Sequence, residues 1–499
     1  MVLNKKIVST TYLLAALCLV LTQCAPTSEK PMEAEEQNTE LTDEEKLLAI
    51  ESEAKVLLGE NIGTQIFIRA IPVTRNLLFR SKFMQMVGND KKTEGGMFSE
   101  NAFDGVQLNE LIHLRLLTNH ILESGVTPNV DTQYSPVFLD LSEEPVVVQV
   151  PVIKDRYYSI QFTDAYLTNV DYIGGNKNET EGALYIITGP NYSGEIPAGM
   201  TEMKYPTNIG FVALRILNRN TPGDTENVNA IQDQFSFQPL SQYQGKVAKN
   251  PSPVIVPERK PDGVAFYKYM LNAVKAHPDP IDDDGFWSLV SQIGVYKDYI
   301  DIIDSLDADI QKGLLQALPK AKKIIAWKAK HRGYKSYSKW NIDHVGGSFG
   351  DDILARAEGA VQGFIVHDAD QCQYYHTYHD GDGNPLVGGK KYKIHFDKEQ
   401  LHQADAFWSL VAYDENYDLV PNDDFHYAVS DRSEGLVYNE DGSLDIYLQA
   451  TEPEIGKSNW VPIPKEGVFK INFRNYVPKK TLLDIEKVEG YLPPLQNIE

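Results

Sequence analysis

Two clusters of aromatic, arginine and carboxylate side chains are the parts of this 499-residue chain best suited to hold a ligand. Near the C-terminus Phe469, Ile471 and Phe473 alternate, so on a strand Lys470, Asn472, Arg474 and Tyr476 face the other way. Trp408, placed opposite Phe407, and the pair Asn459-Trp460 in a proline-rich loop are expected beside them. Asp131, Tyr134, Arg156 and Tyr157 offer a similar set in the first half of the chain. Aromatic faces stack on sugar rings, and Arg, Asn and Asp clamp hydroxyls or a carboxylate, so these side chains, with Asp164, are the candidate ligand-binding residues. The competing reading is a buried arginine–aspartate lattice that locks loops onto a sheet, since aromatic residues also fill sandwich cores. Asp131 and Asp164 further admit a hydrolase, because glycosidases flank the scissile bond with two carboxyl groups roughly 5–9.5 Å apart.

Other motifs carry less. Gly346-Gly347-Ser348-Phe349-Gly350 fits the G-x-S-x-G elbow that exposes a nucleophilic serine, but no parallel strand–helix alternation surrounds it. It reads better as a glycine-rich entry into a helix over 351–360. Tyr375 to Gly383 concentrates His376, His379, Asp380 and Asp382, yet it lacks the twelfth-position ligand of a calcium loop and the H-E-x-x-H spacing of a zinc site. A hairpin turn built on Asp-Gly pairs explains it better. No metal, cofactor or catalytic residue is assigned.

The elements that must position these groups follow from hydrophobic period. Thr42-Asp43-Glu44-Glu45 is a capping box, and apolar residues at helical spacing continue to Gly59. After Ile71-Pro72 short strands are expected: Val146–Val150, then 156–164 with Tyr158, Ile160 and Phe162 on one face and Tyr157, Ser159, Gln161 and Thr163 on the other, then 184–188 and 211–217. From Gly263 to Trp340 the period is helical, and from about Phe364 alternation returns at 392–396, 444–448 and 469–473.

The two β regions share a pattern. Tyr158-Ser159-Ile160 and Trp408-Ser409-Leu410 each begin the sequence aromatic, Ser, aliphatic, and each is followed some fifty residues on by a strand that starts at Phe and carries an arginine, Phe211 to Arg215 and Phe469 to Arg474. The arginines stand one residue out of register when the phenylalanines are aligned. A duplication of two antiparallel sandwiches accounts for the pattern.

The N-terminus supplies an address. Lys5 and Lys6, an apolar stretch over 12–21 and Leu21-Thr22-Gln23-Cys24 resemble a bacterial lipoprotein signal with Cys24 as the lipidated residue, and the apolar stretch is short for a spanning helix. Gln23 is larger than the usual Gly or Ala before that cysteine. Residues 25–41 are rich in Pro, Thr, Ser, Glu and Gln and read as a flexible tether. Loss of Lys5 and Lys6 with the signal takes the formal charge from −23 to −25; such a field repels phosphate backbones and anionic headgroups, so no nucleic-acid partner is expected and the acyl chains are expected to be the only membrane attachment. Cys18 leaves with the signal and Cys24 takes lipid, so Cys372 has no disulfide partner.

Several blocks also carry a resemblance. The blocks at 129–134, 140–145, 155–158 and 189–190 resemble the domain of unknown function 1254, and those at 407–410, 441–443, 459–462 and 474–476 resemble its companion, domain of unknown function 1214. The resemblance runs from about residue 60 to the C-terminus and implies bacterial envelope or secreted proteins with β-sandwich domains, without an agreed activity. The expected protein is mainly β with α: two antiparallel, jelly-roll-like β-sandwich domains joined by a helical segment. The expected boundaries are a signal at 1–23, a tether at 24–41, a helix plus sandwich at 42–225, a helical connection at 226–345 and a second sandwich at 346–499. The expected role is an envelope lipoprotein that binds a small polar molecule or glycan. The alternatives are a hydrolase using paired carboxylates and a structural lipoprotein that contacts other proteins. Oligomeric state is left open.

Overall fold

The computed structural model describes residues 41–87, 108–121, 127–177, 179–249, 261–331, 336–337, 339–342 and 346–499. The signal and the tether to residue 40 lie outside these residues. Contacts divide the chain into two units, residues up to Ile50 and residues from Glu51 onward.

In the first unit the capping box forms: Thr42 Oγ1 accepts from Glu45 N at 3.2 Å, and Thr42 N donates to Glu45 Oε2 at 2.7 Å. The helix it starts, α1 (Asp43–Val87), does not stop at Gly59 and runs through Pro72. Both departures from expectation have a packing cause. A Cβ on Gly59 would lie 2.3 Å from the carbonyl oxygen of Ile310, so the glycine marks a backbone-close helix crossing rather than a helix end. Ile66, Phe67, Ala70, Ile71 and Val73 are buried around Pro72, and that burial offsets the roughly 3 kcal/mol that an interior proline costs.

The first sandwich contains β1 (Thr132–Asp140), β2 (Val146–Val150), β3 (Tyr158–Thr163), β4 (Asn169–Gly174), β5 (Ala183–Thr188), β6 (Thr201–Lys204), β7 (Ile209–Leu217) and, past α2 (Asp224–Gln232), β8 (Ser236–Pro239). It therefore takes its last strand from beyond residue 225. Its sheets run β1-β7-β3-β4 and β6-β5-β2-β8. They bury Val137, Val146, Val148, Ile160, Phe162, Val212 and Leu214 between them. Short α3 (Leu240–Tyr243) leads away, and α4 (Gly263–Ala276), α5 (Asp283–Ser291) and α6 (Ala308–Lys330) pack on α1 around Ile66, Tyr267, Met270, Val290, Leu314 and Ile325. No described helix is long and apolar enough to cross a membrane.

After β9 (Ser336–Tyr337), β10 (Trp340–Ile342) and α7 (Ile353–Gln362), the second sandwich follows: β11 (Cys372–Thr377), β12 (Tyr392–Phe396), β13 (Ala404–Tyr413), β14 (Ala428–Ser430), β15 (Leu444–Gln449), β16 (Trp460–Pro462), β17 (Lys470–Pro478), α8 (Lys480–Leu483) and β18 (Leu495–Asn497). Its sheets run β14-β13-β17-β11-β10-β9 and β16-β15-β12-β18.

The two sandwiches are the same object twice. Adding ten to each strand number of the first reproduces the order of the second, with β10 and β9 appended at one edge. Polarity repeats too: β5 with β6 and β15 with β16 are parallel pairs, while the other pairs within the two sandwiches are antiparallel. The register of the arginines also agrees. Arg215 stands between Tyr134 and Ser159, and Arg474 between Tyr374 and Ser409, so these rows superpose without a bulge. The phenylalanines used to align the sequences were the wrong anchor, because Phe211 corresponds to Lys470.

Candidate functional site

Alternation along the central strands decides what each sandwich presents at their junction. Phe469, just before β17, and Ile471 and Phe473 on it enter the core, leaving Lys470, Asn472, Arg474 and Tyr476 on the opposite face, as expected. Directly opposed residues share a face, so Phe407, paired with Tyr476, and Ser409, paired with Arg474, join that polar face. Trp408 pairs with Asn475 and lies in the core against Phe473, with ring centroids 5.9 Å apart. The expectation for Trp408 is therefore corrected: the strand's parity sends Phe407, not Trp408, to the polar face at the junction.

The two polar faces meet in an aromatic cluster. Phe407 and Tyr476 stack at 4.1 Å, and Tyr157 packs edge-on against both, at 5.4 and 5.5 Å. Around it lie the two arginines of the repeat, each nearly fully buried. Arg215 donates from Nε to Tyr134 Oη at 3.1 Å and from Nη1 to Gln161 Oε1 at 2.7 Å, and Nη1 lies 3.3 Å from His367 Nε2. Arg474 donates Nη2 to the Thr127 carbonyl at 3.1 Å and sits over the Tyr413 ring. Neither has a carboxylate partner among the described residues. Because a guanidinium only donates, His367 Nε2 must accept from Arg215, so Nδ1 carries the proton and points it at Tyr374 Oη, 3.0 Å away. Burial, aided by Arg215, pushes the pKa of His367 well below that of an ordinary histidine, which agrees with a neutral ring. Burial also pushes the Cys372 thiol up to about 12, so it behaves as an inert core group.

Beside this cluster opens a cleft of about 330 Å³. It is lined by Asp131, Asn218, Arg219, Asn220 and Thr118 from the first sandwich and its connections, and by Phe425, His426, Tyr427, Ser430, Arg432 and Lys457 from the second. Asp131 forms its floor and is only 3% exposed. Its Oδ2 accepts from Ser409 Oγ at 2.6 Å and its Oδ1 from Arg432 Nη2 at 2.7 Å. Arg432 is held further by Asp431 at 2.9 Å and by the face of Phe407 at 4.3 Å. Asn220 and Phe425, on opposite walls, both adopt left-handed backbone at φ 53°, a strained conformation for a bulky phenylalanine. Charges of both signs, side-chain amides and hydroxyls, and a half-exposed aromatic ring together suit a ligand rich in hydroxyl or mixed polar groups.

The repeat supplies an internal comparison. Asp131 precedes Tyr134 by three residues as Gln371 precedes Tyr374, and the backbone carbonyl of each accepts from the strand beyond, from Asn218 N at 3.0 Å and from Val477 N at 2.9 Å. Arg432 follows Ser430, the partner of Ser409, by two residues, as Asn176 follows Gly174, the partner of Ser159. Where the first junction holds Asp131, Arg432 and Ser409, the second holds Gln371, Asn176 and Ser159. Gln371 and Asn176 hydrogen-bond each other reciprocally, with Asn176 N donating to Gln371 Oε1 at 3.1 Å. One junction holds a buried charged pair and lines a cleft; its counterpart is closed by an amide pair, whose Asn176 also donates to the exposed carboxylate of Asp370 at 2.8 Å.

The remaining predicted residues are dispersed. Tyr134 and Tyr157 lie in the buried cluster. Arg156 is spent in a bidentate pair with Asp224, at 3.2 and 2.9 Å. Asn459 secures a loop by bonding Val437 N, Val437 O and Asp445 O. Trp460 donates Nε1 to the Gln449 carbonyl at 2.8 Å and stacks on His426, a wall of the cleft. Asp164 caps a turn, accepting from Tyr166 N and Thr168 N, and burial raises its pKa to about 6. The paired-carboxylate reading fails on distance. Asp131 meets β7 at Asn218 and Asp164 follows the residue paired with Phe211, so about eight residues, roughly 26 Å of strand, separate them.

Ser348 is exposed on a turn, with β10 ending at Ile342 and α7 starting at Ile353, so no strand-to-helix elbow carries it. Asp380 closes its Asp-Gly turn by accepting from Asp382 N and Asn384 N. Among the described residues no three metal-ligating side chains converge. Sequence reasoning missed Arg432 and His367: Ser430-Asp431-Arg432-Ser433 reads as an ordinary polar turn, and nothing in it signals which charge will be buried.

No curated protein sequence matches the chain. The crystal structure of the VPA0106 protein from Vibrio parahaemolyticus superposes with a TM-score of 0.63 at 20% identity, over 89% of this chain and 100% of that one, and so shares its fold. An uncharacterized protein from Burkholderia cenocepacia aligns over 90% of this chain and 97% of its own, at 14% identity and a TM-score of 0.41. Residues 108–239 match the protein family of unknown function DUF1254, and residues 371–480 match DUF1214. The first range reaches the end of β8 and the second runs from the start of β11 past the end of β17, so the chain carries both domains of unknown function, one on each copy of the repeated sandwich.

Proposed function

We propose that this chain is an envelope lipoprotein, anchored through Cys24, that binds a small polar molecule or glycan in the cleft floored by Asp131. The observation that carries the reading is the asymmetry of the repeat: the same fold position is charged and lines a cleft at Asp131–Arg432–Ser409 and is amide-sealed at Gln371–Asn176. Burying an aspartate–arginine pair gives little net stability compared with a neutral pair, so a pair kept at the floor of a cleft points to recognition. Aromatic Phe425 and the surrounding amides and hydroxyls would contact sugar faces and edges.

The test is calorimetric titration of the full chain carrying Cys24→Ala with saccharides, peptidoglycan fragments and small carboxylates. The double variant D131Q/R432N, which installs the residues of the sealed junction, serves as control. Saturable heat from one class of ligand, absent in the double variant, supports the reading. A flat panel, or equal heats from both proteins, overturns it. The address is tested separately by labelled-palmitate incorporation, which Cys24→Ala should abolish.

A further inference from the structure

We infer that the outer face of α6 docks on an anionic lipid surface. The helix Ala308–Lys330 carries six lysines against one acid, Asp309, a local charge of +5 in a chain of −23. Its inner face is settled by packing: Leu314, Ala317, Ala321 and Ile325 are buried in the helical layer. The outer face shows Lys322, Lys323 and Lys330, none of which has an ion-pair partner among the described residues, whereas Lys320 is taken by Glu60 and Lys328 by Asp352. On the same side as Lys323 and Lys330 stands Trp327, 58% exposed and stacked on His331 with ring centroids 4.5 Å apart, while Leu315, at 47%, and Ile324, at 38%, lie on the two opposite edges of that face.

An exposed tryptophan among unpaired lysines is the arrangement that lies in a membrane interface, with the indole at headgroup level and ammonium groups on lipid phosphates. An acidic protein is not thereby repelled. Screening confines each field to about 8 Å at physiological salt, so the face nearest the bilayer decides the sign of the interaction. The lysines select the bilayer's charge, and the apolar residues distinguish a bilayer from a hydrated polyanion, which offers nothing for Trp327 to enter. This surface is independent of the cleft: a protein that loses one binding activity and keeps the other separates the two readings.

Tryptophan emission provides the test, because Trp287, Trp340, Trp408 and Trp460 are at most 8% exposed and only Trp327 among the five is open to a quencher. The full chain with Cys24→Ala is mixed with vesicles of phosphatidylcholine, or of phosphatidylcholine with one third phosphatidylglycerol, both carrying brominated acyl chains. The expected result is a blue shift and quenching on the acidic vesicles that fade with added salt and vanish in Trp327→Phe. Reversing three of the four unpaired lysines (K322E/K323E/K330E, with Lys312 kept), which breaks no ion pair and should leave melting unchanged, is expected to weaken binding by roughly a hundredfold or more. Equal quenching on both vesicle types, or no change in the triple variant, overturns the inference. So does binding to heparin that displaces the vesicles without any quenching of Trp327, which would make the partner a polyanion.

Discussion

Replacing Asp131 and Arg432 together by the residues of the opposite junction should cost far less than the sum of the two single replacements. Asp131 is 3% exposed and the Arg432 side chain 18%, and they are joined at 2.7 Å. Asp131→Gln leaves a guanidinium without its main partner, and Arg432→Asn leaves a buried carboxylate with Ser409 alone. Breaking a buried pair from one side costs about 3–5 kcal/mol. Asp431, at 2.9 Å, and the partial exposure of Arg432 soften that, so each single variant should cost about 2–3 kcal/mol. The double variant D131Q/R432N removes the buried pair and recovers the amide pair that Gln371 and Asn176 form, worth about 1 kcal/mol, while Asp431 loses its Arg432 partner and keeps its bond from Trp408 N. It should cost no more than either single change, giving a coupling energy of about 2–3 kcal/mol. Urea unfolding read by emission of Trp408 and Trp460, both buried in the sandwich that carries Arg432, measures this if the slope is unchanged. Single costs that simply add to that of the double variant would refute both the pairing and the claimed equivalence of the two junctions.

Asp164, with a pKa raised by burial to about 6, is protonated more readily folded than unfolded. Its contribution is fully present below about pH 4 and is lost as pH rises through 6, a change of about 3 kcal/mol that Asp164→Asn should remove from a pH series of unfolding midpoints. Histidines act with the opposite sign. Burial lowers His113 and His277 to about 4 and holds His367 well below an ordinary histidine, so their neutral forms stabilise the fold above pH 6.5 and that stability is lost on acidification. At about 1.4 kcal/mol per pH unit each, three histidines outweigh one aspartate, and net stability should fall between pH 6.5 and 4. Gly313→Ala should destabilise by about 1–3 kcal/mol or more in thermal melts, since its Cβ would sit 2.2 Å from the Val56 carbonyl oxygen, whereas Gly490→Ala, with nothing within 4 Å, should be silent.

Much of the fold was legible locally. Alternation placed Tyr158, Ile160 and Phe162 in one core and Phe469, Ile471 and Phe473 in the other, because a strand's two faces meet different solvents and the sequence must alternate with them. The shared aromatic-Ser-aliphatic motif pointed to the repeat, and strand order and register made it concrete. What periodicity misread were Gly59 and Pro72, where a residue that ends helices in isolation serves a contact with another segment. It also gave Trp408 the wrong face, since parity along β13 is set by pairing with β17 rather than by residue size.

The candidate site was half legible for the same reason. Residue types announced that arginines, tyrosines and aspartates would gather, and by itself the sequence determined their identity, the strand faces they occupy and the acidic balance of the chain. Only the tertiary structure decided which of them share a junction. Asp131 meets Arg432 across 301 residues and Ser409 across 278, while Asp131 and Asp164, 33 positions apart, stand at opposite ends of β7. Local pattern records how a segment divides its own faces between core and solvent. Which polar face then meets which is settled by how the two sandwiches close on each other, and no window of sequence contains that information.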